Sequence, residues 1–308
     1  MKKVVLSVVA ALAVTASAAP AFAADMAVKA PKAAPPPPPY MLDIAVGGLV
    51  GSDYIFRGIT QSNHSPSGGA YFEPDLTTPI GVFYVGLAGW AISWPTAFGF
   101  TDPSAEIDFY GGWRNAWGPL SLDIGLIYYY YPSETQSSLT TNSDFYEIYG
   151  KVGYEIVKGL TIGGNVFWTP DLLHYSESFT TGGISNKPDA LYASFTAKWL
   201  LPWTAGDLGA YLSGELGHWW IDDAGFTNPI FVAFNGNPAV DPSYTYWNVG
   251  LAFTYKTLTL DLRYHGTDQS VQQCASFLLV GVPNPSNDWC DDRFVASLKF
   301  DTSVGIGH

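Results

Sequence analysis

Charged residues are scarce in this chain of 308: Asp, Glu, Lys and Arg together make 13%, about half the share usual in soluble domains. A surface so poor in charge does not suit a soluble globule of this size. Long apolar runs are also missing. Beyond the first two dozen residues nothing approaches about 18 uninterrupted apolar positions, which leaves no candidate for a membrane-spanning helix. Basic residues number 14 against 27 acidic ones, for a formal charge of -13. They form no stripe, so binding of nucleic acid is not expected. The two cysteines have no histidine pair beside them, which makes a poor zinc site, and neither a metal nor a cofactor is expected. Gly-x-Ser-x-Gly, His-Glu-x-x-His, a phosphate-binding glycine loop and a dinucleotide fingerprint are all lacking, so the chain is not read as an enzyme. An outer-membrane hydrolase, whose site need leave no local motif, stays as a third reading.

What is present begins with a start typical of export. Lys2 and Lys3, an apolar run from Val4 to about Ala18 and the small-residue site Ala21-Phe22-Ala23 read as a cleavable signal peptide over 1–23. Its removal takes the formal charge to -15. Residues 24–40 contain APKAAPPPPP at 30–39, a stiff polyproline-type spacer of about 3 Å per residue that cannot pack a core. It is expected in the periplasm, either as an inert linker or in contact with the cell wall or a partner.

Aromatic residues reach 16% and glycines number 32, and they fall into a repeating pattern. Twelve segments of strand character lie at 42–58, 70–77, 81–92, 105–116, 119–130, 145–157, 160–169, 190–200, 207–220, 244–255, 258–266 and 292–300, lengths suited to tilted membrane strands. Short connectors, as at Lys158-Gly159 and Lys256-Thr257, alternate with long ones near 59–69, 93–104, 131–144, 170–189, 221–243 and 267–291. That is the asymmetry of an all-β outer-membrane barrel of about 12 strands, with tight turns and both termini on the periplasmic side. A soluble β-sandwich has no reason to sort every second loop by length. The barrel is expected to occupy 41–301, with 302–308 as a C-terminal extension.

Within segments the charges keep one parity, as they must if the other face meets lipid, where a charge near midplane costs about 2–4 kcal/mol. Asp43, Asp53 and Arg57 share a face, as do Glu106, Asp108 and Arg114, then Glu147, Lys151 and Glu155, then Asp261, Arg263 and His265. The opposite parity is apolar, as in Leu122, Ile124, Leu126 and Tyr128. Aromatic girdles are expected from Trp90, Trp94, Trp168, Trp219 and Trp220 toward the long loops, and from Trp117, Trp203 and Tyr255 toward the short turns.

The candidate lumen or constriction residues are therefore Asp53, Arg57, Glu106, Asp108, Arg114, Glu147, Lys151, Asp261, Arg263 and His265. Arg57, Arg114 and Arg263 are expected to face Asp53, Glu106, Asp108 and Asp261. Two readings stand side by side: ion pairs that fill a narrow barrel, or a charge-lined constriction in a water-filled pore. The long loops carry Asp102, Glu134, Asp144, Asp171, Glu177, Asp189, Asp222, Asp223, Asp241, Asp268, Asp288, Asp291 and Asp292 against Lys187 alone. Such a mouth concentrates cations, or else its carboxylates bridge to lipopolysaccharide through divalent ions. Cys274 and Cys290, both in the last long loop of an exported protein, are expected to form a disulfide.

Three stretches resemble the TorF family of porins from proteobacteria: SDYIFRGITQS at 52–62, EIDFYGGW at 106–113 and YWNVGLAFTYKTLTLDLRY at 246–264. The positions that match are Asp53, Tyr54, Phe56, Arg57, Gly58 and Gln61. The resemblance implies an outer-membrane barrel and carries no catalytic role. The expected function is passive diffusion of small hydrophilic solutes, with cations favoured. The alternative is a non-conducting structural or surface-interaction barrel whose acidic loops meet a partner or the envelope. Outer-membrane lipid and lipopolysaccharide are the expected surroundings.

Overall fold

A computed structural model describes residues 41–94, 103–134, 143–174, 187–222, 241–274 apart from 272, and 288–306. The signal peptide, the proline-rich spacer, Asp102, Glu177, Asp223 and His308 lie outside the described residues. Where the sequence alternates polar and apolar, the chain forms β1 (Met41–Gly51), β4 (Ser67–Thr78), β5 (Gly81–Ala91), β6 (Ala105–Trp117), β7 (Leu120–Tyr130), β8 (Phe145–Val157) and β9 (Leu160–Thr169). It continues with β10 (Ala190–Ala205), β11 (Leu208–Ile221), β12 (Tyr244–Tyr255), β13 (Leu258–Thr267) and β14 (Arg293–Ile306). These twelve strands pair neighbour to neighbour and close into one ring, β14 meeting β1 antiparallel. Between β1 and β4 sits a separate two-stranded hairpin, β2 (Ile55–Phe56) and β3 (Ile59–Thr60).

The ring is built inside out relative to a soluble globule. Val85, Phe109, Leu126, Ile148, Phe195, Leu216, Val249, Leu260 and Phe294 are all exposed on its outer face. Glu73, Glu106, Asp108, Glu147, Glu215, Asp261, Arg263 and His265 are buried on the inner one. A one-residue register slip would exchange the two sets, so alternation fixes the register. Trp168 at the long-loop end and Trp117, Trp203 and Tyr255 at the short-turn end are exposed, in the places expected of girdle residues.

Four expectations need correction. The first segment does not run to residue 58: β1 ends at Gly51 and the hairpin follows. Residues 201–206 are not all connector, because β10 continues to Ala205 past a register shift between Leu200 and Thr204. The tail after Phe300 is wall rather than extension. Val304 pairs with Ile44 and Ile306 with Leu42, so the apolar alternation and the ladder both carry β14 on to Ile306. Trp90 and Trp219, finally, are not girdle residues; both are buried inside the ring.

Candidate functional site

The chain leaves the wall at Ser52, whose N–H donates to Ala296 O on β14 at 2.9 Å. Asp53 then ties the base of the hairpin. Its Oδ1 accepts from Thr60 Oγ1 at 2.6 Å and from Ser62 Oγ at 2.8 Å, and Arg293 Nε lies 3.5 Å from Oδ2. The backbone closes the same loop, Gln61 N–H donating to Tyr54 O at 2.6 Å. At the tip, the two-residue turn Arg57-Gly58 has positive φ at both positions, 48° and 89°, the geometry that matches a right-twisted hairpin. Glycine is required at the second: a Cβ there would stand 2.2 Å from Thr267 Cγ2 and 2.9 Å from Tyr246 Cδ2. Arginine at the first adopts a backbone region that costs about 1–3 kcal/mol and persists only where surroundings enforce it.

The surroundings are the inner faces of β6 to β12. Arg57 Nη1 and Nη2 donate to Glu147 Oε1 and Oε2 on β8, each at 2.8 Å. Its carbonyl accepts from Tyr244 Oη on β12 at 2.9 Å. Four rings enclose the guanidinium, Phe56 at 4.6 Å, Phe167 at 5.0 Å, Tyr192 at 4.4 Å and Trp219 at 4.5 Å. Arg57 is 1% exposed and Glu147 0%. A fork-to-fork pair of this kind is among the strongest charge-assisted contacts. On the other side of the hairpin, Tyr54 Oη donates to Glu106 Oε1 at 2.5 Å while Tyr131 Oη donates to Oε2 at 2.9 Å. Trp90 Nε1 donates to Asp108 Oδ2 at 3.0 Å. The hairpin thus touches the inner wall across most of its girth and fills the long-loop half of the bore.

The short-turn half is different. Arg114 bridges Glu73 at 2.9 Å and Asp75 at 2.6 Å, Tyr84 bonds Asp123 and lies 2.5 Å from Tyr149 Oη, and Tyr71 Oη donates to Asp301 at 2.9 Å. Arg263 holds Asp261 at 2.9 Å and also donates to Asn248 and to Ser213. Lys151 Nζ lies over the Tyr149 ring at 4.7 Å. Asp43, Asp75, Arg114, Asp123, Lys151, Lys198, Lys299 and Asp301 are all partly exposed, in contrast to the buried ring around the hairpin. The bore is therefore a polar vestibule toward the short turns and a filled plug toward the long loops.

All ten expected lumen residues lie inside, but not as one constriction. Asp53 and Arg57 arrive on the hairpin rather than on the wall. The partner of Arg57 is Glu147, not Asp53, Glu106, Asp108 or Asp261; Glu106 and Asp108 are met by tyrosine and tryptophan instead. His265 lies in the lumen, its Nδ1 2.8 Å from Tyr246 Oη. Tyr54, Tyr131, Trp90, Trp219 and Tyr244 were not singled out as lumen residues by sequence reasoning; Tyr54 belongs to the plug and the other four surround it. At the mouth, the described loop residues Glu134, Asp144, Asp171, Asp189, Asp222, Asp241, Asp268, Asp288, Asp291 and Asp292 oppose Lys187 alone. Burial pushes the Glu134 carboxyl above its ordinary value, against the Ser143 N–H that donates to it. Cys274 and Cys290 form the expected disulfide.

A family model described as "Bacterial protein of unknown function (Gcw_chp)" matches residues 33–299. The chain belongs to this family. The Gcw_chp match takes in both the hairpin and nearly the whole wall, ending inside β14. No curated protein matches the chain. Among solved structures it is similar to the COG4313 outer membrane channel from Pseudomonas putida F1, with 12% identity, a TM-score of 0.44 and coverage of 88% of this chain and 97% of that one. It is similar also to the NanC porin in a rhombohedral crystal form, with 11% identity, a TM-score of 0.43 and coverage of 84% and 98%. For LpxR from Salmonella typhimurium the figures are 11%, 0.39, 83% and 99%.

Proposed function

We propose that this Gcw_chp protein is an outer-membrane porin-like channel for small hydrophilic solutes, narrowed by the Ser52–Pro66 segment and favouring cations. The observation that carries the reading is the inversion of the wall, apolar outside and charged inside around a closed ring. Only a hydrocarbon surrounding makes that order stable, because an exposed belt of this size in water invites association. Tight turns on one side and long acidic loops on the other support periplasmic termini and an outward-facing mouth. The resemblance of 52–62 to TorF porins supports the same assignment, and the partly exposed vestibule supplies a polar route for half the depth. The acidic mouth supports cation preference.

A second reading, a non-conducting structural barrel, is favoured by one observation: Arg57 at 1% and Glu147 at 0% exposure are paired and buried inside the ring. Planar-bilayer recording separates the two. Small discrete steps from the wild-type chain, enlarged when 53–62 is replaced by a Gly-Ser link, are expected for the constricted channel. Silence from both proteins would leave only the structural barrel.

A further inference from the structure

The last long connector does more than cross the rim, since its described end, residues 288–292, lies over the hairpin. Thr60 N–H donates to Trp289 O at 3.0 Å. His64 Nε2 is 2.9 Å from Asp288 Oδ1, and its ring centroid is 6.1 Å from that of Trp289. Arg293, where β14 begins, donates to Asp288 O at 2.8 Å as well as approaching Asp53. The next residue after Trp289 is Cys290, bonded to Cys274, and its carbonyl accepts from Thr267 Oγ1 at 2.9 Å. Cys274, Trp289 and Cys290 are buried in one apolar cluster with Tyr54 and Ile59 of the hairpin.

Two covalent anchors hold this overlying segment. One is the chain itself, which enters β14 at Arg293. The other is the disulfide, which ties it across to the turn that follows β13. Without the second, the segment would be held to the end of β13 by the single hydrogen bond from Thr267 to Cys290 O and by a chain connection closing over a sequence separation of 16, and a closure of that length fixes its end weakly.

We propose that the Cys274–Cys290 bond is the catch of the plug. Closed, it keeps Trp289 seated on Thr60 and the hairpin in the bore; opened, it lets residues 288–290 lift and the hairpin leave. Opening takes two electrons and two protons from a dithiol reductant, which departs as its own disulfide and leaves two cysteine thiols. The inference rests on the hairpin being the constriction, yet its first test does not depend on conduction.

Hydrogen exchange of the full chain folded in detergent reads the catch directly. In Cys274→Ser/Cys290→Ser, and in wild type treated with dithiothreitol, amides of residues 54–62 are expected to exchange on the order of tenfold to a hundredfold faster, while those of β12 keep their protection. Unchanged exchange of 54–62 in both samples overturns the proposal. Equal loss of protection in β12 also overturns it, because the bond would then brace the whole barrel. In bilayers the same two samples are expected to open more often than oxidised wild type. A silent Gly-Ser-linked barrel would count against the channel reading and leave the exchange result standing.

Discussion

Arg57 and Glu147, 90 positions apart in the chain, meet through two parallel hydrogen bonds of 2.8 Å in the interior of the ring. The contact joins the hairpin tip to the wall opposite its root, and Tyr129 Oη adds a third bond to Glu147 Oε2 at 3.1 Å. Removing either partner leaves a buried charge without its counter-ion. Glu147→Ala or Arg57→Ala is therefore expected to destabilise the folded barrel by about 3–5 kcal/mol. The double change Arg57→Leu/Glu147→Leu should lose less than either single change. Tryptophan-fluorescence unfolding in urea checks the order; a double variant weaker than both singles would contradict it.

The tip turn admits one residue type at position 58. Gly58→Ala meets Thr267 and Tyr246 at φ 89° and is expected to cost about 1–3 kcal/mol. Gly118→Ala, also at positive φ but with nothing within 4 Å, should cost less. Comparing the two unfolding midpoints tests whether it is the seating of the hairpin, beyond the backbone conformation, that selects glycine.

Leu126 and Val249 face outward near the middle of β7 and β12. Arginine at either is expected to weaken insertion into lipid vesicles by about 2–4 kcal/mol. Folding yield in vesicles, read from the shifted electrophoretic mobility of folded barrels, reports the effect. An undiminished yield for both variants would mean that this face does not meet hydrocarbon.

Cation preference, if it comes from the mouth, falls with pH. Protonation of the loop carboxylates removes the field that concentrates cations, and Glu134, whose carboxyl is pushed up by burial, contributes to that loss. Reversal potentials measured under a salt gradient at neutral and acid pH should converge toward the non-selective value. Anion preference at neutral pH would reverse the assignment of the mouth.

Most of the wall could be read from the chain because each strand carries its own label. Asp123 between Leu122 and Ile124 marks an inner and two outer positions without reference to any other strand, and Lys158-Gly159 marks where β8 must turn into β9. The plug could not be read in that way. Asp53 and Arg57 keep the parity of Asp43, so alternation alone extends the first strand through them, and nothing local announces that Arg57 will find Glu147. For the tryptophans the signal was present but overridden. Trp219 stands four positions from Glu215 and Trp90 two from the buried Ala88, so both share the inner parity; their place near strand ends suggested a girdle instead. The β14 tail was legible too, in the alternation of Val304 and Ile306.

β1 is one side of the seam at which the ring closes, and the inward hairpin leaves that same strand after only three residues. Until β14 docks on β1, Ser52 lacks Ala296, and Asp53 lacks Arg293. The root of the cork is thus shared with the seam: the joint that unites the two ends of the wall also fixes where the cork begins.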